Sequence, residues 1–117
     1  MKIFYHLETC STCQRILKAL NLPQDVRKRE IKSSPLNEEE VDRLAAKSGS
    51  YAAIFSKRAM KFRALGLHEK TLSEQDYRHY LLEDYTFLKR PVLETNHQVV
   101  AGNTKNAVEQ MTVLLDP

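Results

Sequence analysis

Cys10-Ser11-Thr12-Cys13 lies where a buried strand gives way to an amphipathic helix, and that placement constrains the chain more than any other feature. The strand is Lys2-Ile3-Phe4-Tyr5-His6, apolar at its centre. The helix is marked by Ile16, Leu17 and Leu20, which recur at helical spacing. A C-x-x-C pair between a first strand and a first helix is placed for redox chemistry. Free backbone N–H groups and the positive end of the helix dipole face the first cysteine and favour its thiolate, the attacking species. The second cysteine follows about one helical turn later, within reach of a mixed disulfide formed on the first. Ser11 and Thr12 are suited to hydrogen-bond the loop and the helix start, with Thr12 as the expected N-cap.

Two other uses of the pair stand beside the redox one. As half of a zinc site it needs further ligands, yet these are the only two cysteines, and His6, His68, His79 and His97 show no finger-type spacing. A static disulfide across so short a loop stabilises little. A chain of 117 residues is expected to form one domain around a single core. Its 42% apolar and 28% charged residues are those of an ordinary globular protein, and no apolar run approaches the length of a bilayer span. Met1-Lys2-Ile3 enters the strand at once, so no targeting peptide and a cytoplasmic location are expected. In that compartment a dithiol cycles more readily than it persists as a staple. The net charge of +3 suits a small anion or an acidic partner. It argues little for nucleic acid, and neither direct nucleic-acid binding nor membrane association is expected.

Further along, the elements first alternate. Leu22-Pro23 closes the first helix, and Asp25 to Ile31 reads as extended. Arg27, Lys28, Arg29 and Glu30 make it unusually charged, as suits an edge strand. After the break at Ser33-Ser34-Pro35, Asn37 with Glu40 forms a capping-box pattern, and Val41, Leu44 and Ala45 mark the buried face of a helix ending near Ser48-Gly49. Tyr51 to Leu65 has a helical pattern anchored by Ile54, Phe55, Phe62 and Leu65, with Gly66 as its C-cap. Ser73 with Asp76 opens another helix, whose Tyr77, Tyr80, Leu81 and Tyr85 read as core. Val92 to Thr95 and Gln98 to Ala101 flank a turn at Asn96-His97 as a hairpin, and Asn103 or Thr104 caps a last helix carrying Val108, Met111, Leu114 and Leu115. The order β-α-β, a block of helices at about 36–88, then β-β-α is that of an α/β thioredoxin-like fold with an all-helical insertion, within a single domain spanning 1–117.

With that order in place, the chain resembles the ArsC/Spx family, the arsenate reductases and their relatives, over nearly its whole length. The resemblance is carried by Phe4-Tyr5-His6 leading to Cys10, by Lys57 to Leu67 ending Arg63-Ala64-Leu65-Gly66-Leu67, and by Leu88-Lys89-Arg90-Pro91-Val92. It implies that Cys10 is a nucleophile attacking arsenate to give a covalent arseno-thiol adduct, which glutathione and glutaredoxin resolve. Such chemistry needs cationic donors around the oxyanion. Arg90 matches one of the family's three oxyanion-binding arginines. Ser56 falls where the first should stand, with Arg58 two positions on, where Spx-like relatives carry an arginine; the third position falls at Gly102. Lys57, Arg58, Lys61 and Arg63 also read as one solvated basic face.

The same resemblance assigns the remaining candidates. Cys13 is a departure from the glutaredoxin-dependent reductases and matches the C-x-x-C of Spx-type proteins, which implies a resolving thiol and dithiol/disulfide cycling. His6 resembles a histidine near the nucleophile, which as a cation would help keep Cys10 ionised; it also reads as a strand-end histidine bonded to backbone. Pro91 resembles the cis-proline that faces the cysteines in thioredoxin-like folds. The expected activity is thiol oxidoreduction of an oxyanion or thiol substrate, with no bound cofactor or metal. Glutathione, glutaredoxin or thioredoxin would serve as the external reductant. The alternative is a Spx-like redox-sensing regulator that binds the RNA polymerase alpha subunit, or a member that keeps the fold without efficient catalysis.

Overall fold

The computed structural model describes residues 1–116. In chain order its elements are β1 (Ile3–His6), α1 (Ser11–Leu20), β2 (Arg27–Glu30), α2 (Glu38–Ser48), α3 (Met60–Ala64), α4 (Glu74–Glu83), β3 (Val92–Glu94), β4 (Val99–Ala101) and α5 (Lys105–Leu115). Short 3-10 turns lie at Ala52–Ile54, Leu67–Glu69 and Tyr85–Phe87. Two compact units result: Met1–Pro35 together with the segment from Arg90 onward, and Leu36–Lys89. No helix among the described residues is long and apolar enough to cross a membrane.

In the first unit the strands form one mixed sheet in the order β2-β1-β3-β4. β1 runs parallel to β2, with His6 opposite Glu30, and antiparallel to β3, with Tyr5 opposite Val92. The charged strand β2 is an edge, as its composition led one to expect. Period-two alternation sends Phe4 and Leu93 to one face of the sheet. There they join Val26, Val100, Ala107, Met111 and Leu115 in a core completed by Leu17, Leu20, Leu22 and Leu114. The opposite face presents Ile3, Tyr5, Val92 and Glu94, all buried. A buried carboxylate is costly unless it is hydrogen-bonded, and the Tyr5 hydroxyl donates to Glu94 Oε1 at 2.6 Å.

Phe4 is fully buried at the centre of the first core, so its removal leaves a cavity that fixed strands cannot close. Phe4→Ala is expected to cost about 3–5 kcal/mol, a large share of a small domain's stability. Urea unfolding should show this as a lower midpoint at unchanged slope.

In the second unit, local signals set most boundaries. Asn37 and Glu40 form the capping box that starts α2, and Gly49, at φ 104°, ends it. Ser73 and Asp76 form a second box at α4, whose first carboxylate, Glu74, accepts from Tyr51 N–H at 2.7 Å and Ala52 N–H at 3.2 Å. The expected continuous helix over Tyr51–Leu65 is a correction: it is a 3-10 turn, an extended step and the short α3. Phe55 takes φ −92°, ψ 131° and makes an antiparallel bridge with Leu88. Its ring is stacked on Phe87 and meets Phe62 and Tyr77 edge-on, so tertiary packing overrides the helical pattern there. The aromatic stripe of α4 packs as expected, with Tyr77 and Tyr80 half-buried beside Leu81.

Candidate active site

The burial of Cys13 follows from α1 itself. Cys13, Ile16, Leu17 and Leu20 are spaced i, i+3, i+4, i+7, the buried stripe of the helix, with Cys13 and Ile16 closed off from solvent. Cys10 immediately precedes that helix as its N-cap, and it acts electrostatically on Cys13, so the two thiols are neighbours. The helix is capped at Cys10, not Thr12. Cys10 has extended backbone (φ −93°, ψ 110°), and its carbonyl accepts the first helical bond from Gln14 N–H at 3.0 Å. Thr12, the expected N-cap, is a correction: it lies inside the first turn because the chain has already turned helical at Ser11. At the N-cap, the Cys10 side chain stands where helix-end N–H groups are unpaired.

The two sulfurs differ in environment. Cys10 is partly exposed and Cys13 fully buried, and both are free. Burial pushes the Cys13 thiol up, and the neighbouring Cys10 adds to this. The Leu7 N–H, which donates to its sulfur at 3.5 Å, and the Arg90 charge pull the other way. Cys13 is therefore a thiol at neutral pH, held behind an accessible Cys10. Arg90 leads into β3 through a cis Arg90–Pro91 bond, and the Pro91 carbonyl accepts from Gly102 N–H at 2.8 Å. Because β3 pairs with β1, this corner lies at the strand end from which the Cys10 loop departs.

His6 is half-buried, and burial lowers its affinity for a proton despite the nearby Glu30 charge. Burial and the Lys28 charge work against a cationic His6, while Glu30 and Glu8 work for one. Its Nδ1 lies 3.4 Å from Gln14 Nε2, which also donates to the Leu7 carbonyl at 3.1 Å. Arg58 belongs to the second unit, where it is exposed just ahead of α3. Neighbouring Lys57 lies over the Tyr77 ring and Lys61 pairs with Asp84. Among the described residues no group of three His, Cys, Asp or Glu is placed to hold a metal ion.

A model of the ArsC family matches residues 5–111, nearly the whole length and all of the cysteine site. The chain belongs to the ArsC family. An ArsC family related protein from Bacteroides fragilis superposes with TM-score 0.79 at 25% identity, over 94% of this chain and 96% of that one. A possible arsenate reductase from Streptococcus mutans UA159 gives 0.72 at 29% identity, over 95% and 97%. The arsenate reductase from Vibrio cholerae, 22% identical, shares the fold with TM-score 0.73 over 98% and 97%. A search among curated proteins gives no match. The α/β thioredoxin-like architecture is thus that of the ArsC family, and its arsenate reductase-like neighbours support a place among thiol oxidoreductases.

Two residues of this ArsC-family site escape a reading of motifs. Gln14 holds the Leu7 carbonyl, as above. Glu30, at the end of edge strand β2, accepts from Glu8 N–H at 2.8 Å, from Lys32 N–H and Ser33 N–H at 2.8 Å, and from the Ser33 hydroxyl at 3.0 Å. These donors, Glu8 and Ser33 foremost, hold its carboxyl at about 2, below the ordinary 4.5. A depressed carboxylate stabilises the fold above its ordinary range and loses that contribution as pH falls through its folded-state value. The stability gap between wild type and Glu30→Gln should therefore be full at neutral pH and narrow from about pH 5 towards pH 2 in urea titrations.

Proposed function

We propose that this protein is a thiol oxidoreductase in which Cys10 attacks and Cys13 resolves. The observation that carries the reading is the asymmetry of the pair: a partly exposed cysteine at the helix N-cap, and a buried, protonated one in the first turn that follows it. With arsenate as substrate, the Cys10 thiolate forms an S–As bond and an oxygen leaves as water. Cys13 then gives up its proton and attacks the Cys10 sulfur. The S–S bond forms, the S–As electron pair stays on arsenic, and As(V) becomes As(III) as two thiols become a disulfide. Glutathione, glutaredoxin or thioredoxin returns the two electrons. Arg90, whose charge acts on Cys13, is the donor this reading assigns to the oxyanion.

Arsenate reduction with the glutathione, glutaredoxin and thioredoxin systems supplied separately tests this. Turnover that one reductant supports, and that Cys10→Ser lacks, is the expected result. No turnover, with Cys10 still reactive towards a thiol probe, would overturn the reductase reading.

One observation weighs against an oxyanion substrate and so motivates a second reading, a redox-sensing partner of the RNA polymerase alpha subunit. Gly102, where a third arginine would stand, takes φ 108°, a conformation that L side chains rarely adopt. An arginine is not simply interchangeable there, and an oxyanion would meet a reduced set of donors. Capture of the purified alpha subunit by reduced or oxidised protein would favour this reading.

A further inference from the structure

The loop Leu7–Cys10 carries the nucleophile from the sheet to the helix, and little of its own backbone pairing holds it: Cys10 N–H returns to the Leu7 carbonyl at 3.1 Å. Glu30 reaches it from another strand. The parallel register sets Glu30 opposite His6, at the carboxyl end of β2, where the loop departs from β1. Its two oxygens divide their work. Oε2 takes Glu8 N–H, while Oε1 takes the Lys32 and Ser33 N–H groups and the Ser33 hydroxyl. One carboxylate therefore ties the nucleophile loop to the turn that ends the edge strand, across 22 residues of sequence.

Resting on the reading of Cys10 as the nucleophile, we propose that Glu30 is a positioning residue: it touches neither sulfur, and by clamping Glu8 N–H it fixes the direction in which Cys10 meets the helix N-terminus and Cys13. Two acceptor oxygens are required for this, which is why an amide does not replace the acid. In Glu30→Gln the single carbonyl oxygen is claimed by the three donors of the turn, leaving an NH2 group against Glu8 N–H, donor facing donor. That substitution cuts the loop clamp and spares the turn. Ser33→Ala does the reverse, removing one turn-side bond and leaving Glu8 held.

The test compares wild type, Glu30→Gln and Ser33→Ala as full chains. The readouts are amide hydrogen exchange at Glu8, the Cys10–Cys13 disulfide equilibrium against glutathione, and the iodoacetamide rate of Cys10 in a Cys13→Ser background. Glu30→Gln is expected to speed Glu8 exchange about tenfold and to shift the disulfide equilibrium about fivefold towards the dithiol. Cys10 alkylation should slow about threefold as the sulfur leaves the helix end. Ser33→Ala should stay within about twofold of wild type on all three. Faster exchange with unchanged equilibrium and alkylation would reduce Glu30 to a structural clamp and overturn the proposal, as would equal effects of both variants or faster alkylation. If wild type forms no internal disulfide, the resolving role of Cys13 fails. The alkylation rates then decide the role of Glu30 by the same criterion.

Discussion

Cys10→Ser is expected to lower thiol-dependent turnover by about a thousandfold or more while leaving the fold intact. The site concentrates its reactivity on one atom. Cys10 is the partly exposed sulfur at the N-cap, whereas Cys13 is buried and protonated and offers no substitute attacker. A serine hydroxyl at the same place is weakly nucleophilic without an adjacent base. His6, the nearest histidine by sequence, interacts with Gln14 instead. Stability should change little, because a partly exposed position loses only a small volume change. Steady-state turnover paired with a urea melt checks both halves; turnover within tenfold of wild type would place the nucleophile elsewhere.

Cys13→Ser should give a different failure. Cys10 remains able to attack, so the first covalent step survives, but no internal thiol follows. With glutathione present the protein should accumulate as a Cys10–glutathione mixed disulfide, visible as a mass adduct. Turnover should drop about a hundredfold at low glutathione, because an intramolecular thiol acts at a far higher effective concentration than a free one. Raising glutathione should recover part of the rate, which Cys10→Ser cannot do. Normal turnover with no adduct would remove Cys13 from the resolving role.

Features encoded by neighbouring residues are legible in the sequence. The strand, C-x-x-C and helical stripe announced the site. The caps at Asn37, Ser73 and Thr104 lie where side-chain chemistry demands them, each accepting from an N–H three residues on. The charged strand reads as an edge because charge is tolerated there. What the sequence concealed depends on distant partners. Phe55 breaks a helical pattern because Leu88 offers it a bridge and Phe87 a stacking face. Thr12 is a sound cap by residue type, but the helix has already begun at Ser11, capped by Cys10. Burial opposes a charge on His6, which no local pattern reports. Glu30 reads only as edge-strand charge because its decisive donor, Glu8, is remote in sequence. Arg58 has the residue type for an anion and is exposed in the second unit.

The central claim is that Cys10 and Cys13 act as one redox pair. The most direct test treats the reduced protein with one equivalent of a mild oxidant, then alkylates the remaining thiols and weighs the intact chain. The account predicts that both thiols become unreactive together, in a monomer without a glutathione adduct, and that a dithiol reductant restores both. A stable adduct or an intermolecular dimer on Cys10, with Cys13 still open to alkylation after unfolding, would contradict it.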